Sequence, residues 1–141
     1  VPFVYFDASA LVKLFLDEDG SDLAIRLWSE ADELAVSTLA RVEVRAALAA
    51  AARDGRLETP DYHDARRRFE RYWNEVAGVA PGPVLLEQAC KLAEQASLRA
   101  LDAVHLASAL AVGPALTIFT SWDERLRAAA AAEGLGIAPA H

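Results

Sequence analysis

The chain opens on an apolar run, "FVYF", that ends at a single aspartate, and an apolar pattern at helical spacing, "ASALVKLFL", follows at once. Near-continuous apolar runs, as opposed to alternating ones, mark strands covered on both faces in a parallel sheet. Four segments read this way: Phe3–Phe6, Leu34–Val36, Val76–Val79 (the weakest) and Leu116–Phe119, with Gly136–Ala138 as a short fifth. Between them, apolar residues recur every three or four positions and predict helices. Ala8–Leu16 and Asp22–Ala31 follow the first strand, divided by the turn-forming Asp19-Gly20-Ser21. Leu39–Arg53 follows the second strand and stops before Gly55, and Pro60 opens a helix running to Trp73. After Pro83, residues Leu85, Ala89, Leu92, Ala93 and Ala96 share one face of another helix. Leu101–Val112 is apolar nearly all round and belongs in the centre, and Arg125–Glu133 is the last helix. Strands alternating with helices predict an α/β domain with a mainly parallel sheet.

A length of 141 residues predicts one domain over 1–141, large enough to bury a core. The N-terminal run has neither a basic region nor a cleavage site, so no signal peptide is expected. Ala103–Trp122 carries no formal charge, but Gly113-Pro114 divides it into a buried helix and a buried strand, and no membrane span is expected. The lone cysteine, Cys90, excludes an internal disulfide and fits a reducing cytoplasm; on its helix it is expected to be a small buried apolar residue. The net charge of −7 argues against a nonspecific coat on duplex nucleic acid, while allowing an enzyme whose acids gather around cations.

Where those acids fall changes the picture. In an open parallel sheet, functional groups collect at the carboxyl ends of strands. Asp7 ends the first strand, Glu43 lies one turn into the helix after the second, Asp102 opens the central helix, and Asp123 follows the fourth strand. Each has a structural reading too. Asp7 and Asp102 suit helix N-caps, and Ser121-Trp122-Asp123-Glu124 fits a capping box with Ser121 as the cap and Glu124 reaching back. Glu43 interrupts the small-residue stripe of Leu39, Ala46, Ala47 and Ala50, and an inward-facing acid needs a partner. Two carboxylates 4 Å apart repel by about 4 kcal/mol at an effective dielectric of ~20. Divalent ions that prefer oxygen ligands relieve such a cluster, activate water and stabilise a phosphodiester's developing charge.

"YFDASALVKLF", "STLARVEVRAAL", "LRALDAVHLASAL" and "FTSWDERLRAAAAAEG" occur in this order over nearly the whole chain. Together they resemble a PIN-domain ribonuclease of the VapC type, the toxin of a bacterial or archaeal toxin–antitoxin pair. The resemblance implies a three-layer α/β/α PIN-like domain with a mainly parallel sheet of four to five strands. It places the family's acidic quartet, catalytic and metal-holding, on Asp7, Glu43, Asp102 and Asp123. One or two Mg²⁺ are implied, with Mn²⁺ as a substitute. Ser9 and Ser121 match small hydroxyl positions beside the acids. Lys13 and Arg41 are candidate phosphate contacts near the rim, with surface ion pairing as the alternative. The resemblance further implies a cytoplasmic endoribonuclease, an RNA substrate leaving 5′-phosphate and 3′-hydroxyl ends, a cognate antitoxin, and a homodimer or toxin–antitoxin hetero-oligomer. The alternative is a catalytically silent PIN-like regulatory subunit that binds RNA or protein. Trp122 is bulkier than the residue common in that family and is expected to reshape the substrate entrance.

Three other features compete for attention. His105, one turn after Asp102, is expected to pack in the central helix, a metal-ligand role being the alternative; His63 and His141 have no catalytic setting. "RRRFERYW" (66–73) has the composition of a single-strand RNA contact, against an amphipathic helix with its aromatics inward and its arginines solvated. Trp28 is expected in the core. A haloacid-dehalogenase-type phosphatase needs a second acid where Ser9 stands, and a receiver domain needs an acidic pair where Phe6-Asp7 supplies one acid.

Overall fold

The computed structural model describes residues 3–140; the expectation for His141 lies outside the described residues. Five parallel strands, β1 (Phe3–Phe6), β2 (Leu34–Ser37), β3 (Ala77–Val79), β4 (Thr117–Thr120) and β5 (Gly136–Ala138), form one sheet in the order β3-β2-β1-β4-β5. Seven helices cover it: α1 (Ala8–Val12), α2 (Ser21–Glu30), α3 (Ala40–Arg53), α4 (Thr59–Trp73), α5 (Pro83–Ala96), α6 (Ala100–Val112) and α7 (Glu124–Ala132).

Strand periodicity divides the core in two. Val4, Phe6 and Val36 point to a cluster with Leu11 of α1, Ala24 of α2, Val44 and Leu48 of α3 and Phe69 of α4. Tyr5, Ala35 and Phe119 point the other way, to Leu92 of α5, Leu106 of α6 and Leu126 of α7. This is the expected three-layer arrangement. In α3 the buried stripe is Ala40, Val44, Leu48 and Ala51, which corrects the expected face of Leu39, Ala46, Ala47 and Ala50: those residues are half-buried or, at Ala46, exposed, because the helix turns its larger Val44 and Leu48 to the core. Trp28 packs as expected, its ring edge-on to Phe6 at 5.2 Å.

Several expectations are corrected. α1 closes at Val12 instead of reaching Leu16, because the Leu14 and Phe15 amides bond the carbonyls three residues back, at 3.0 Å each, and tighten the chain into turns. β3 is largely exposed, not buried: it is the sheet's edge. Cys90 is exposed, because Ala89 takes the inward position of α5 and the next residue turns outward.

Gly20 is the N-cap of α2. Its φ is +90°, and a Cβ there would stand 2.8 Å from Trp122 Nε1. Gly55 has a similar φ of +78° but nothing within 4 Å. Gly20→Ala is therefore expected to cost about 2–3 kcal/mol and Gly55→Ala about 1 kcal/mol, the difference being the displaced indole. Urea unfolding of both variants measures this; equal losses would mean that Trp122 moves aside freely.

Candidate active site

The strand order reverses direction at β1: the chain proceeds to β2 on one side and returns to β4 on the other. In such sheets the crevice outside the carboxyl ends of the strands at the reversal is where ligands bind. Asp7 follows β1 directly, and Ser121 follows β4. Both lie two residues past a strand residue that faces α6, Tyr5 and Phe119 respectively, so pleat alternation carries them toward α6 as well.

Asp7 is 3% exposed. It caps α1, its Oδ1 accepting from the Ala10 N–H at 2.9 Å and from the Ser9 hydroxyl at 2.8 Å. Burial pushes its carboxyl above the ordinary range, against the opposing pull of the Ser121 hydroxyl, the Ala10 amide, the Ser9 hydroxyl and the nearby His105. The residue is both a cap and a buried carboxylate whose charge is costly, so the capping role does not account for all of its setting.

Asp123, not Ser121, caps α7: its Oδ1 accepts from the Leu126 N–H at 2.9 Å. Ser121 instead accepts from the Asp123 amide at 3.1 Å, which corrects the expected capping box. On α6 the cap position is Arg99, and Asp102 sits in the first turn. The Arg99 guanidinium spans the two acids, Nε donating to Asp102 Oδ2 at 3.0 Å and Nη2 to Asp123 Oδ2 at 3.3 Å. Its pKa is raised by the hydrogen bond to Asp102 and by the charges of Asp102 and Asp123. These three residues, with Glu124 and Arg125, line a cleft of about 400 Å³. One cation already bridges two carboxylates from separate elements.

Glu43, in the first turn of α3, meets the partner its position demanded: its Oε1 lies 2.7 Å from His105 Nε2. His105 is buried in α6, as expected, but both ring nitrogens are engaged, Nδ1 lying 2.7 Å from the Tyr5 hydroxyl. Sequence reading missed this tie and the Arg99 bridge. The signals were present: an acid in an apolar stripe called for a donor, and Arg99 stands one turn before Asp102.

Lys13 turns to the α1–α2 connection, donating to the Asp19 carbonyl at 2.6 Å and pairing with Glu18 at 3.2 Å, its ammonium 5.0 Å from the Trp122 ring centre. Arg41 pairs with Glu70 of α4 at 3.2 Å, joined there by Arg45, and not with the four acids. Phe69 is buried, Trp73 lies tilted against it, and Tyr72 meets Phe15 and Trp28 edge-on while staying 38% exposed, so segment 66–73 is an amphipathic helix whose aromatics pack on the core side.

The structure sets the four acids in two groups: Asp102 and Asp123 share Arg99, while Asp7 and Glu43 both lie close to Tyr5 and His105. As the side chains stand, no three histidine, cysteine or acidic groups close on a single ion-sized centre among the described residues. Asp102 and Asp123 turn to Arg99, and Glu43 turns to His105. The donor set nevertheless fits a hard divalent ion: carboxylate oxygens with adjacent hydroxyls, one buried charge in need of compensation, and a carboxylate pair already sharing a cation.

Residues 4–132 match the PIN domain family. The chain is 48% identical over 140 residues to ribonuclease VapC49 of Mycobacterium tuberculosis, covering 99% of this chain and 97% of that protein. Among solved structures, PAE2754 from Pyrobaculum aerophilum superposes with a TM-score of 0.72 at 22% identity, covering 96% of this chain and 83% of that one. A toxin–antitoxin complex from Klebsiella pneumoniae gives 0.64 at 18% identity, with 85% and 86% covered.

Proposed function

Because this chain belongs to the PIN-domain family, and within it to the VapC ribonucleases, we propose that it hydrolyses RNA phosphodiester bonds as the toxin of a toxin–antitoxin pair. The observation that carries the reading is the gathering of Asp7, Asp102 and Asp123 at the carboxyl ends of β1 and β4, with Glu43 tied to α6.

In this reading Asp7, Glu43, Asp102 and Asp123 hold one or two Mg²⁺ or Mn²⁺ ions. A divalent ion, when bound, lowers the pKa of water and offsets charge building on the phosphoryl oxygens. The chain's own groups set the geometry. Ser9 and the Ala10 amide fix the Asp7 carboxylate through Oδ1. Ser121 holds the Asp123 backbone, and the Asp7 amide, donating to the Thr120 carbonyl at 3.2 Å, links the ends of β1 and β4. Arg99 and Arg125 line the cleft and offer positive charge to an RNA phosphate.

The partner proposal follows from the same cleft. Arg99 demonstrates that a guanidinium fits between Asp102 and Asp123, so an arginine or lysine from an antitoxin has a ready seat there. Self-association or assembly with an antitoxin into a hetero-oligomer is part of the same proposal. No helix among the described residues is long and apolar enough to cross a membrane, and a toxin acting on cellular RNA belongs in the cytoplasm.

Product chemistry tests the reaction. Attack by water leaves 5′-phosphate and 3′-hydroxyl ends, whereas attack by the RNA's own 2′-hydroxyl, the route of acid–base ribonucleases, leaves a 2′,3′-cyclic phosphate. The described histidines give no acid–base pair: His63 lies exposed on α4, and His105 is committed to Tyr5 and Glu43. End-mapping of cleaved RNA is expected to find 5′-phosphates; cyclic phosphates would overturn the mechanism.

A further inference from the structure

His105 has no part in the reading above, yet it sits where two layers meet the acid basin. It lies on α6 one turn beyond Asp102 and is 2% exposed. Its Nδ1 is 2.7 Å from the Tyr5 hydroxyl and its Nε2 is 2.7 Å from Glu43 Oε1. An ordinary phenol keeps its proton at neutral pH. A carboxylate can only accept. With the Nε2–H donating to Glu43 and the Tyr5 hydroxyl engaging Nδ1, both ring nitrogens are held and the ring plane is fixed.

Tyr5 is a rigid support. It is fully buried, stacked on Phe119 at 5.3 Å between ring centres, and meets the His105 ring edge-on at 5.9 Å. Asp7 stands two residues further along the same strand direction, on the same face, and the charges of Asp7 and Glu43 both bear on the Tyr5 hydroxyl. Glu43, by contrast, is a long side chain from a different layer, 23% exposed, with several rotamers open to it unless something selects one.

We propose that His105 is a positioning residue: braced by Tyr5, it holds the Glu43 carboxylate in the basin of Asp7 and thereby sets the affinity for the divalent ion. The proposal rests on the metal-holding role of the four acids. Hydrogen-bonded partners that orient a ligand in this way commonly change metal affinity by about 10- to 100-fold when removed. The rival role is purely structural, a buried polar tie between α3 and α6.

A double-mutant cycle on the full chain separates the two, with Mn²⁺ affinity read by calorimetry beside the melting temperature and RNA cleavage. His105→Leu keeps the volume without the donor and is expected to weaken Mn²⁺ binding by about tenfold. His105→Gln, which places an amide N–H near the ring-nitrogen position, is expected to recover most of the loss. In a Glu43→Ala background, His105→Leu is expected to change Mn²⁺ affinity no further, because there is no carboxylate left to position. Should His105→Leu fail to fold, Tyr5→Phe carries the same cycle, with a few-fold weakening expected that vanishes without Glu43. The proposal is overturned if the weakening persists in the Glu43→Ala background, or if Mn²⁺ binds the His105 variants as it binds the wild type. A wild-type protein that binds no Mn²⁺ would bring down the metal reading itself, a result visible before any variant is compared.

Discussion

Asp7→Asn is expected to abolish RNA cleavage while making the metal-free protein more stable at neutral pH. The two effects share one cause. Asp7 is 3% exposed, and its carboxyl is raised above the ordinary range chiefly by burial. A group with a raised native pKa stabilises the fold fully only below its unfolded value; that contribution is lost as pH rises through the native value. Above the unfolded value the native protein therefore carries this carboxyl at a cost, and asparagine removes the titration while its side-chain oxygen still accepts from Ala10 and Ser9. In EDTA, the variant should melt above the wild type at pH 7, and the two should converge as pH falls toward 4. Added Mn²⁺ should reverse the order, because binding at 100 times Kd stabilises by about 2.7 kcal/mol and the variant has lost a ligand. Removing several kcal/mol of charge stabilisation from the transition state corresponds to roughly a thousandfold loss in cleavage or more. Equal melting temperatures across the pH range would show that Asp7 is an ordinary cap. A variant that cuts RNA at the wild-type rate would remove Asp7 from the site.

Sequence legibility follows the same division between what is local and what is assembled. The strands and helices were readable because burial on two faces leaves continuous apolar runs, and burial on one leaves a helical stripe; Phe3–Phe6 and the α5 face through Ala89 and Leu92 behave as those patterns require, whereas in α3 the buried face runs through Val44 and Leu48 and not through Ala46. The position of Asp7 at a strand end was readable for the same reason. Strand order was not, because parallel pairing of β1 with both β2 and β4 is a long-range choice that no window of sequence contains. That choice decides that β3 is an exposed edge and that Asp7 and Ser121 are neighbours. Side-chain partnerships were the least legible. Lys13 and Arg41 were expected near the rim, yet Glu18 and Glu70 take them; Arg99, which the sequence reading did not single out, joins Asp102 to Asp123. The Glu43 stripe predicted that a partner must exist without saying that it would come 62 residues later.

Chelation is the second large effect, and Arg99 makes it informative. Excess EDTA is expected to eliminate cleavage, and Mn²⁺ or Mg²⁺ to restore it, without unfolding the protein. The fold should survive because the acids are not left bare: Arg99 bridges Asp102 at 3.0 Å and Asp123 at 3.3 Å, and His105 engages Glu43. Arg99 can balance that charge but cannot replace the chemistry. A guanidinium keeps its protons at any pH the protein tolerates, and here its pKa is raised further by Asp102 and Asp123, so it neither lowers the pKa of water nor serves as a base. It must also yield the carboxylate oxygens that an entering ion takes. Arg99→Gln should therefore lower the Mn²⁺ concentration for half-maximal binding, by roughly threefold given how weakly exposed ion pairs compete. The same variant should raise KM for RNA, because the cleft loses a cation facing the phosphates. Tighter metal with weaker substrate is a combination that neither a structural nor a metal-ligand role for Arg99 produces. Cleavage persisting in excess EDTA would refute metal dependence. A higher Mn²⁺ requirement in Arg99→Gln would mean that the guanidinium organises the acids for the ion instead of competing with it.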